Sequence, residues 1–241
     1  SSEALVGAVP NTSLVPNLSL ASRSYLGAIE ATPASLFDHT VAAMHSLHYS
    51  QENASGLRQD WPRIPLPASK EALERSAALG AELRQLLDPE VAVTSAPVSG
   101  YPEQFKHLGT LTSVDGRALD PAAGDLAVTA GWGIRGKGGI TMPGRGRATD
   151  HGEAVDVWLN DRAYWANVPR AVWEYTLGGY QVIKKWLSYR ERPLLGRDLQ
   201  IEEARYVSEM VRRIAAILAL GPALDASYEA VKANVWEWGE G

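Results

Sequence analysis

The change from strand to helix falls within Val172-Trp-Glu-Tyr-Thr-Leu-Gly-Gly-Tyr-Gln-Val-Ile-Lys-Lys-Trp-Leu-Ser-Tyr-Arg190. Short β-prone runs precede this stretch, and its glycine pair is a turn signal. Beyond the pair, four apolar residues recur at helical spacing and predict an amphipathic helix. They are Tyr180, Ile183, Trp186 and Leu187. Strands and helices are therefore expected in separate parts of the chain.

Upstream of this stretch, the sequence predicts several short strands. Turn residues such as Asp115-Gly116 and Asn160-Asp161 separate runs that are rich in β-prone residues. The predicted strands are residues 91–98, 107–112, 126–130, 155–159 and 163–168.

The N-terminal part is predicted to be helical. Apolar residues recur near helical spacing in residues 34–58. The prolines of Trp61-Pro-Arg-Ile-Pro-Leu-Pro67 then exclude a helix, because proline lacks the backbone donor and restricts the residue before it. Ser69 is the predicted N-cap of a further helix that ends near Asp88-Pro89.

The C-terminal part is also predicted to be helical. An apolar stripe over residues 201–218 predicts a long helix, and a separate last helix is predicted for residues 223–235. Because helices, strands and helices follow one another without sustained βαβ alternation, the predicted fold class is α+β. The expected architecture is a helical N-terminal part, a central, irregular and mainly antiparallel β region, and C-terminal helices.

The domain organisation follows from these patterns. Residues 1–33 show no clear period and are interpreted as a linker-like leading segment. Residues 34–241 are interpreted as one domain, helical over 34–89, β-rich over 90–175 and helical again over 176–241.

Composition indicates an ordinary soluble globular protein, since 45% of the 241 residues are apolar and 21% are charged. No uninterrupted apolar run predicts a transmembrane helix, so no membrane partner is expected. The absence of cysteine excludes disulfides and thiolate metal sites and fits a cytoplasmic location. The start, Ser-Ser-Glu-Ala-Leu, has no signal-peptide pattern and is interpreted as the cut end of a longer protein.

A glycine-rich basic segment interrupts the β region. Gly131-Trp-Gly-Ile-Arg-Gly-Lys-Gly-Gly-Ile-Thr-Met-Pro-Gly-Arg-Gly-Arg147 has seven glycines and no acidic residue, in a chain of formal net charge −5. Glycine lets a backbone approach a ligand closely, and cations attract phosphates. The segment is interpreted either as a solvated surface loop or as a loop that lies on a nucleic-acid backbone. Its candidate DNA-binding residues are Arg135, Lys137, Arg145 and Arg147.

The same segment matches the letter patterns of two nucleotide-binding motifs, but each motif lacks a feature that it needs. The spelling G-x-G-x-x-G over residues 131–136 needs a helix that starts at the glycines. The spelling of a P-loop needs a hydroxyl after Lys137, where this chain has Gly138. A nucleotide-binding enzyme is therefore a weak third interpretation of the chain.

A second group of cations lies between residues 184 and 197, with five basic residues and one acidic residue. Lys184, Lys185 and Arg190 are the candidate DNA-binding residues here, with Trp186 and Tyr189 interleaved. Such a helix face is either simply solvated or in contact with phosphates. The sequence does not establish whether this group meets the glycine-rich segment.

No catalytic constellation and no metal site are identified. His45 and His48 lie one turn apart on a predicted helix, but two ligands without a third do not make a metal site. No serine stands in a G-x-S-x-G nucleophile motif. The chain by itself is therefore expected to need no cofactor.

Three stretches together resemble one protein family. The first is Leu36-Phe-Asp-His-Thr-Val-Ala-Ala-Met-His-Ser-Leu-His-Tyr49, followed by Trp61-Pro-Arg-Ile-Pro-Leu-Pro67. The second is the stretch from Val172 to Arg190 quoted above, and the third is Arg212-Arg-Ile-Ala-Ala-Ile-Leu218. In this order they resemble the C-terminal target-recognition domain of adenine-N6 DNA methyltransferases, as in type ISP and related single-chain restriction-modification enzymes.

The resemblance implies a domain that recognises a short sequence in double-stranded DNA and presents an adenine for flipping and methylation. It implies that the catalytic domain, with its Asn-Pro-Pro-aromatic motif and S-adenosylmethionine, lies elsewhere in a parent chain, since this sequence lacks that motif. The alternative is a structural or docking domain that braces a larger nucleic-acid enzyme without reading DNA.

Overall fold

The computed structural model describes residues 15–91 and 105–238. Its N-terminal part contains four α-helices, each of which begins after a serine or threonine N-cap whose side-chain oxygen accepts a backbone N–H. The helices are α1 (Leu20–Ala28), α2 (Pro33–His45), α3 (Leu47–Glu52) and α4 (Lys70–Leu87). The cap of α4 is Ser69 and its last residue precedes Asp88, so this predicted helix is confirmed.

Helix α1 lies within the segment that the sequence interpretation treated as a linker. Tyr25 and Leu26 are buried, and the Tyr25 hydroxyl donates to the carbonyl of Pro67 at 2.9 Å. The Tyr25 ring also makes an edge contact with Trp236. The linker interpretation missed this helix because its short apolar pattern gives little periodicity, while its packing partners lie far away in the sequence.

The central region contains a four-stranded antiparallel sheet in the order β1-β6-β5-β4 and a separate hairpin, β2–β3. The strands are β1 (Thr110–Ser113), β2 (Gly133–Arg135), β3 (Thr141–Pro143), β4 (Ala148–Asp150), β5 (Ala154–Trp158) and β6 (Ala163–Pro169). The predicted strands at 155–159 and 163–168 are confirmed, and the one at 107–112 begins later, at Thr110. The one at 91–98 lies outside the described residues except for its first.

The predicted strand at 126–130 is wrong. Leu126 and Val128 are fully buried, which explains the apolar run. The backbone of this segment, however, bonds to three different places: the N–H of Thr129 donates to Leu159, and the carbonyls of Leu126 and Val128 accept from Leu199 and Arg192. Because no single neighbour runs beside it, no ladder forms.

The C-terminal part begins with small elements and ends with a long helix. Its elements are α5 (Arg170–Glu174), β7 (Thr176–Leu177), β8 (Tyr180–Gln181), α6 (Val182–Ser188), α7 (Arg192–Leu195) and α8 (Ile201–Lys232). Strands β7 and β8 form a two-residue antiparallel hairpin around the glycine pair. With helices at both ends and antiparallel strands between them, the predicted α+β class is confirmed.

Helix α8 corrects the prediction of two separate helices, because it continues through Pro222. Proline removes one backbone hydrogen bond inside a helix. Here Ile217 and Leu224, on either side of it, are buried in one cluster with Leu83 and Leu86 of α4. Packing of both halves against the same neighbour keeps the helix continuous. By length and composition α8 could cross a membrane, but its apolar face packs into the protein core.

Helix α8 also joins the two halves of the protein. Val207, Val211 and Ile214 are buried against the sheet side of the core, and further along the helix Ile217 packs on the N-terminal helices. Arg213 is buried between them, and its guanidinium donates to the carbonyls of Gln85, Leu86 and Asp88 at 3.1, 3.2 and 2.8 Å. Arg213 thus caps the C-terminus of α4, whose last carbonyls have no partner within their own helix.

A buried ionic cluster fixes the segment between β1 and β2. The Asp125 carboxylate is fully buried and accepts hydrogen bonds from Arg117 Nη2 at 2.9 Å and from the backbone N–H of Asp120 at 2.8 Å. Arg162 Nη1 lies 3.3 Å from the same carboxylate. The hydrogen bond from Arg117, followed by that from Asp120, lowers the pKa of Asp125 to about 2.

This shift predicts a defined acid sensitivity. An aspartate in an unfolded chain has a pKa of about 3.9. The stabilisation by ionised Asp125 is therefore complete above that pH and is lost as the pH falls toward about 2. We expect the stability difference between the wild type and Asp125→Asn to shrink across this window, measured by urea unfolding at a series of pH values. A difference that stays constant would contradict the role of the ionised carboxylate.

Candidate functional site

The glycine-rich basic segment forms a β-ribbon, which we define as residues 131–147 around the hairpin β2–β3. Ile134 pairs with Met142 across the two strands. The turn contains Gly138 and Gly139, with φ of 76° and 79°, values that favour glycine. The segment is therefore an ordered hairpin rather than an irregular loop.

Hydrogen bonds to Trp158 and Glu191 fix the base of the β-ribbon, at Gly131 and Trp132. Trp132 is fully buried, and its Nε1 donates to the carbonyl of Trp158 at 2.7 Å. The buried carboxylate of Glu191 accepts the backbone N–H groups of Gly131 at 3.0 Å and of Trp132 at 2.8 Å. The carboxylate thereby satisfies the buried N–H of Trp132, a donor that would otherwise be costly to bury, and binds the neighbouring part-buried N–H of Gly131.

The glycines of the β-ribbon allow close packing within the protein. A Cβ at Gly133 would lie 2.0 Å from the carbonyl oxygen of Ser188 at the end of α6. A Cβ at Gly146 would lie 1.9 Å from the ring of Trp132. The sequence suggested that glycine lets this backbone approach a ligand. At these two positions it lets the ribbon lie directly on α6 and on Trp132.

This packing places the β-ribbon against the helix that carries the second predicted basic group. Lys184 and Lys185 of α6 line a cleft of about 220 Å³ whose wall also includes Pro143 of the β-ribbon. The ammonium of Lys185 lies 4.5 Å from the ring centroid of Tyr180 and 4.8 Å from that of Tyr189. These cation–π contacts hold the ammonium at the surface without neutralising its charge.

Arg147 is also held by aromatic stacking. Its guanidinium lies 3.7 Å from the centroid of the Trp158 ring, and Trp158 stacks on Tyr164 at 4.6 Å. A guanidinium that stacks on a ring keeps its N–H edges available for an anion. Arg147 is thus preoriented at the sheet end of the β-ribbon.

Six cations on the β-ribbon and α6 form no ion pair with any carboxylate of the described residues. We call them the cationic face: Arg135, Lys137, Arg145, Arg147, Lys184 and Lys185. Nearby arginines behave differently, since Arg170 pairs with Asp150, Arg192 with Asp198 and Arg197 with Glu203. The cationic face therefore concentrates uncompensated positive charge on a protein of net charge −5, which suits a polyanionic partner.

Comparison with known protein families identifies the chain. Residues 10–216 match the family model of the type ISP C-terminal specificity domain. The chain belongs to this family. The resemblance predicted from the order of the three sequence motifs is thereby confirmed.

Two similar solved structures come from much longer proteins. The specificity domain is similar to part of DrdV in the cryo-EM structure of a DrdV–DNA complex, with a TM-score of 0.50 and 21% identity over 86% of this chain and 19% of that chain. It is also similar to part of the type ISP restriction-modification enzyme LlaGI, in a nuclease-deletion mutant with a DNA substrate mimic, with a TM-score of 0.43 and 17% identity over 81% of this chain and 16% of that chain. The specificity domain thus spans less than a fifth of either protein. No curated protein sequence matches it.

Arg190, the remaining candidate DNA-binding residue of the specificity domain, contacts Trp186 of α6. Its guanidinium stacks on Trp186 at 3.6 Å, and Nη1 donates to the carbonyl of Trp186 at 3.1 Å. Burial lowers the pKa of Arg190, although the charge of Glu203 opposes this effect. As with Arg147, stacking fixes the guanidinium against a tryptophan, and a role of Arg190 in DNA binding stays a prediction.

The predicted histidine pair serves the packing of the helical part. His45 Nδ1 lies 2.9 Å from the carbonyl of Val41, and His48 Nδ1 lies 3.0 Å from the carboxylate of Glu229. Within residues 15–91 and 105–238, no group of three potential ligands is close enough to hold a metal ion.

The sequence interpretation missed the apolar side chains of the β-ribbon. Ile134 and Met142 are 54% and 49% exposed, and Ile140 at the turn is exposed as well. Their exposure follows from which face of the ribbon packs on α6, which the sequence did not reveal. The available signal was the alternation of apolar and polar residues in Ile134-Arg135 and in Ile140-Thr141-Met142.

Proposed function

We propose that this specificity domain recognises a short sequence in duplex DNA on behalf of a restriction-modification enzyme. The observation that carries the proposal is the cationic face, where four cations of an ordered ribbon and two of the adjacent α6 have no carboxylate partner among the described residues. The phosphates of DNA are the polyanion that such a surface binds. Both similar structures contain DNA or a DNA mimic, which supports the same ligand class here.

The cations divide into two kinds by how they are held. Arg147 and Lys185 rest on aromatic rings, so their positions are fixed before binding. Arg135, Lys137 and Arg145 are exposed on the β-ribbon. Prepositioned cations lose less side-chain entropy when they bind phosphate. We infer that the first kind sets the register of the domain on DNA and that the second follows the backbone along the ribbon.

We expect another domain of the parent enzyme to supply the catalysis. We infer that a methyltransferase domain of the same enzyme flips an adenine at the recognised site and methylates it at N6, with S-adenosylmethionine bound in that domain. In this division of labour, the specificity domain grips the duplex beside the flipped base and itself catalyses nothing.

The salt dependence of DNA binding tests whether the cationic face contacts phosphates. Binding of the chain to a labelled duplex is measured between about 50 and 200 mM salt, for the wild type and for Arg135/Lys137/Arg145/Arg147→Ala. The slope of log K against log salt should flatten by about 0.9 for each lost phosphate contact. Affinity at low salt should fall with it.

The control variant removes the same charges elsewhere. Arg23, Arg58, Lys70 and Arg75 are exposed on the N-terminal helical part, and their replacement by alanine also removes three arginines and one lysine. This variant should keep a slope near that of the wild type. Equal effects of the two variants, or coincident curves for the ribbon variant and the wild type, would overturn the assignment. No binding by the wild type would favour the docking function instead.

A further inference from the structure

The face of the β-ribbon that is exposed to solvent carries apolar side chains. Successive residues of a strand point to opposite faces. Gly133 and its partner Pro143 are on the face toward α6, where a Cβ at Gly133 would meet Ser188. Ile134 and its partner Met142 are therefore on the outer face, where both are about half exposed.

This outer face has no protein covering in the described part of the chain. Ile140, at the turn, extends the same apolar surface and is 65% exposed. Three exposed apolar side chains on one small hairpin form a patch of the kind that marks a binding site. Lys137, at the turn, and Arg145, beyond β3, are exposed on the same hairpin, so a partner that covers the apolar side chains also comes close to positive charge.

A groove of duplex DNA provides this combination. Its two rims are lines of phosphates, and the major groove is wide enough to admit a two-stranded β-ribbon. Between the rims, the thymine C5-methyl group is the apolar feature that a side chain can recognise. A protein partner that covers the ribbon would instead need carboxylates placed around an apolar centre.

We infer that the β-ribbon enters the major groove and that Ile134 and Met142 recognise thymine methyl groups in the target sequence. This inference rests on the proposed DNA-binding function and adds to it which side chains read bases. The ribbon is suited to the task because Glu191 and Trp132 fix its base. A fixed base gives the outer face a defined depth and register in the groove.

The test removes methyl groups from the DNA and the apolar side chains from the protein in combination. Duplexes that bind the chain are first selected from a random pool, and each thymine of the selected sequence is replaced in turn by deoxyuridine. Affinity is measured for the wild type, Ile134→Thr and Met142→Gln. These replacements keep the β-branch or the length of the side chain while adding polarity.

For the wild type, at least one replaced thymine should lower affinity by about fourfold, the factor expected for one buried methyl group. The same replacement should have little effect on the variant that lacks the contact. Both variants should keep the salt slope of the wild type, which shows that the ribbon is still folded and still on the phosphates.

The outcomes separate this inference from the proposed function. If the wild type selects a sequence but no thymine replacement couples to either variant, the methyl-reading role is overturned while DNA recognition stands. Selection of a target without any A·T pair has the same consequence. If the wild type shows no salt-dependent DNA binding, the proposed function fails, and this inference fails with it.

Discussion

Replacing Gly80 by alanine should lower the free energy of unfolding by about 3 kcal/mol, although alanine is the better helix former. Gly80 lies inside α4, where α2 crosses it. A Cβ at this position would lie 1.7 Å from the carbonyl oxygen of Asp38 and 2.5 Å from its carbonyl carbon. Both atoms belong to the backbone, so no side chain can rotate away, and the two helices must separate.

Gly27 provides the matched control. It lies in α1, and a Cβ there would have no heavy atom within 4 Å. Gly27→Ala should therefore raise the free energy of unfolding by up to about 1 kcal/mol, because alanine has less backbone freedom to lose. Urea denaturation of both variants measures the contrast. If Gly80→Ala is as stable as Gly27→Ala, α2 and α4 do not approach each other as closely as the structure has them.

Local signals in the sequence predicted those elements whose limits are set locally. Ser69 begins α4 because a serine side chain can accept the N–H of Ala72. The runs of β-branched and aromatic residues in β5 and β6 became strands because the two pair with each other. The segment at 126–130 shows the limit of this reasoning: it is as apolar as a strand, but its backbone partners are dispersed over the chain.

The candidate site was predictable in its charges but not in its assembly. The sequence identified each cation of the cationic face, because runs of glycine with arginine and lysine are visible without a structure. It did not reveal that Gly133 would lie against Ser188, more than fifty positions away. That contact decides which face of the ribbon is covered, so the exposure of Ile134 and Met142 could not be derived either.

Glu191→Ala should lower both the stability of the domain and its affinity for DNA. The buried Glu191 carboxylate accepts the N–H groups of Gly131 and Trp132. Without it, the buried N–H of Trp132 and the part-buried N–H of Gly131 lose their partner, and a buried donor left unpaired costs about 1–3 kcal/mol. The base of the β-ribbon is then no longer fixed. We expect a loss of DNA affinity of about tenfold or more, equivalent to about 1.4 kcal/mol.

Whether Glu191→Ala lowers or raises the DNA affinity shows whether Glu191 acts by positioning the ribbon or only through its charge. Removing a negative charge from a DNA-binding protein should raise its affinity if only the overall charge matters. Glu153→Ala, at an exposed carboxylate outside the β-ribbon, removes the same charge and should raise affinity slightly. Glu191→Gln keeps one acceptor oxygen and should lie between the wild type and Glu191→Ala. Because Glu191 acts only through the backbone of residues 131 and 132, an increase in affinity for Glu191→Ala would mean that the ribbon holds its position without this anchor.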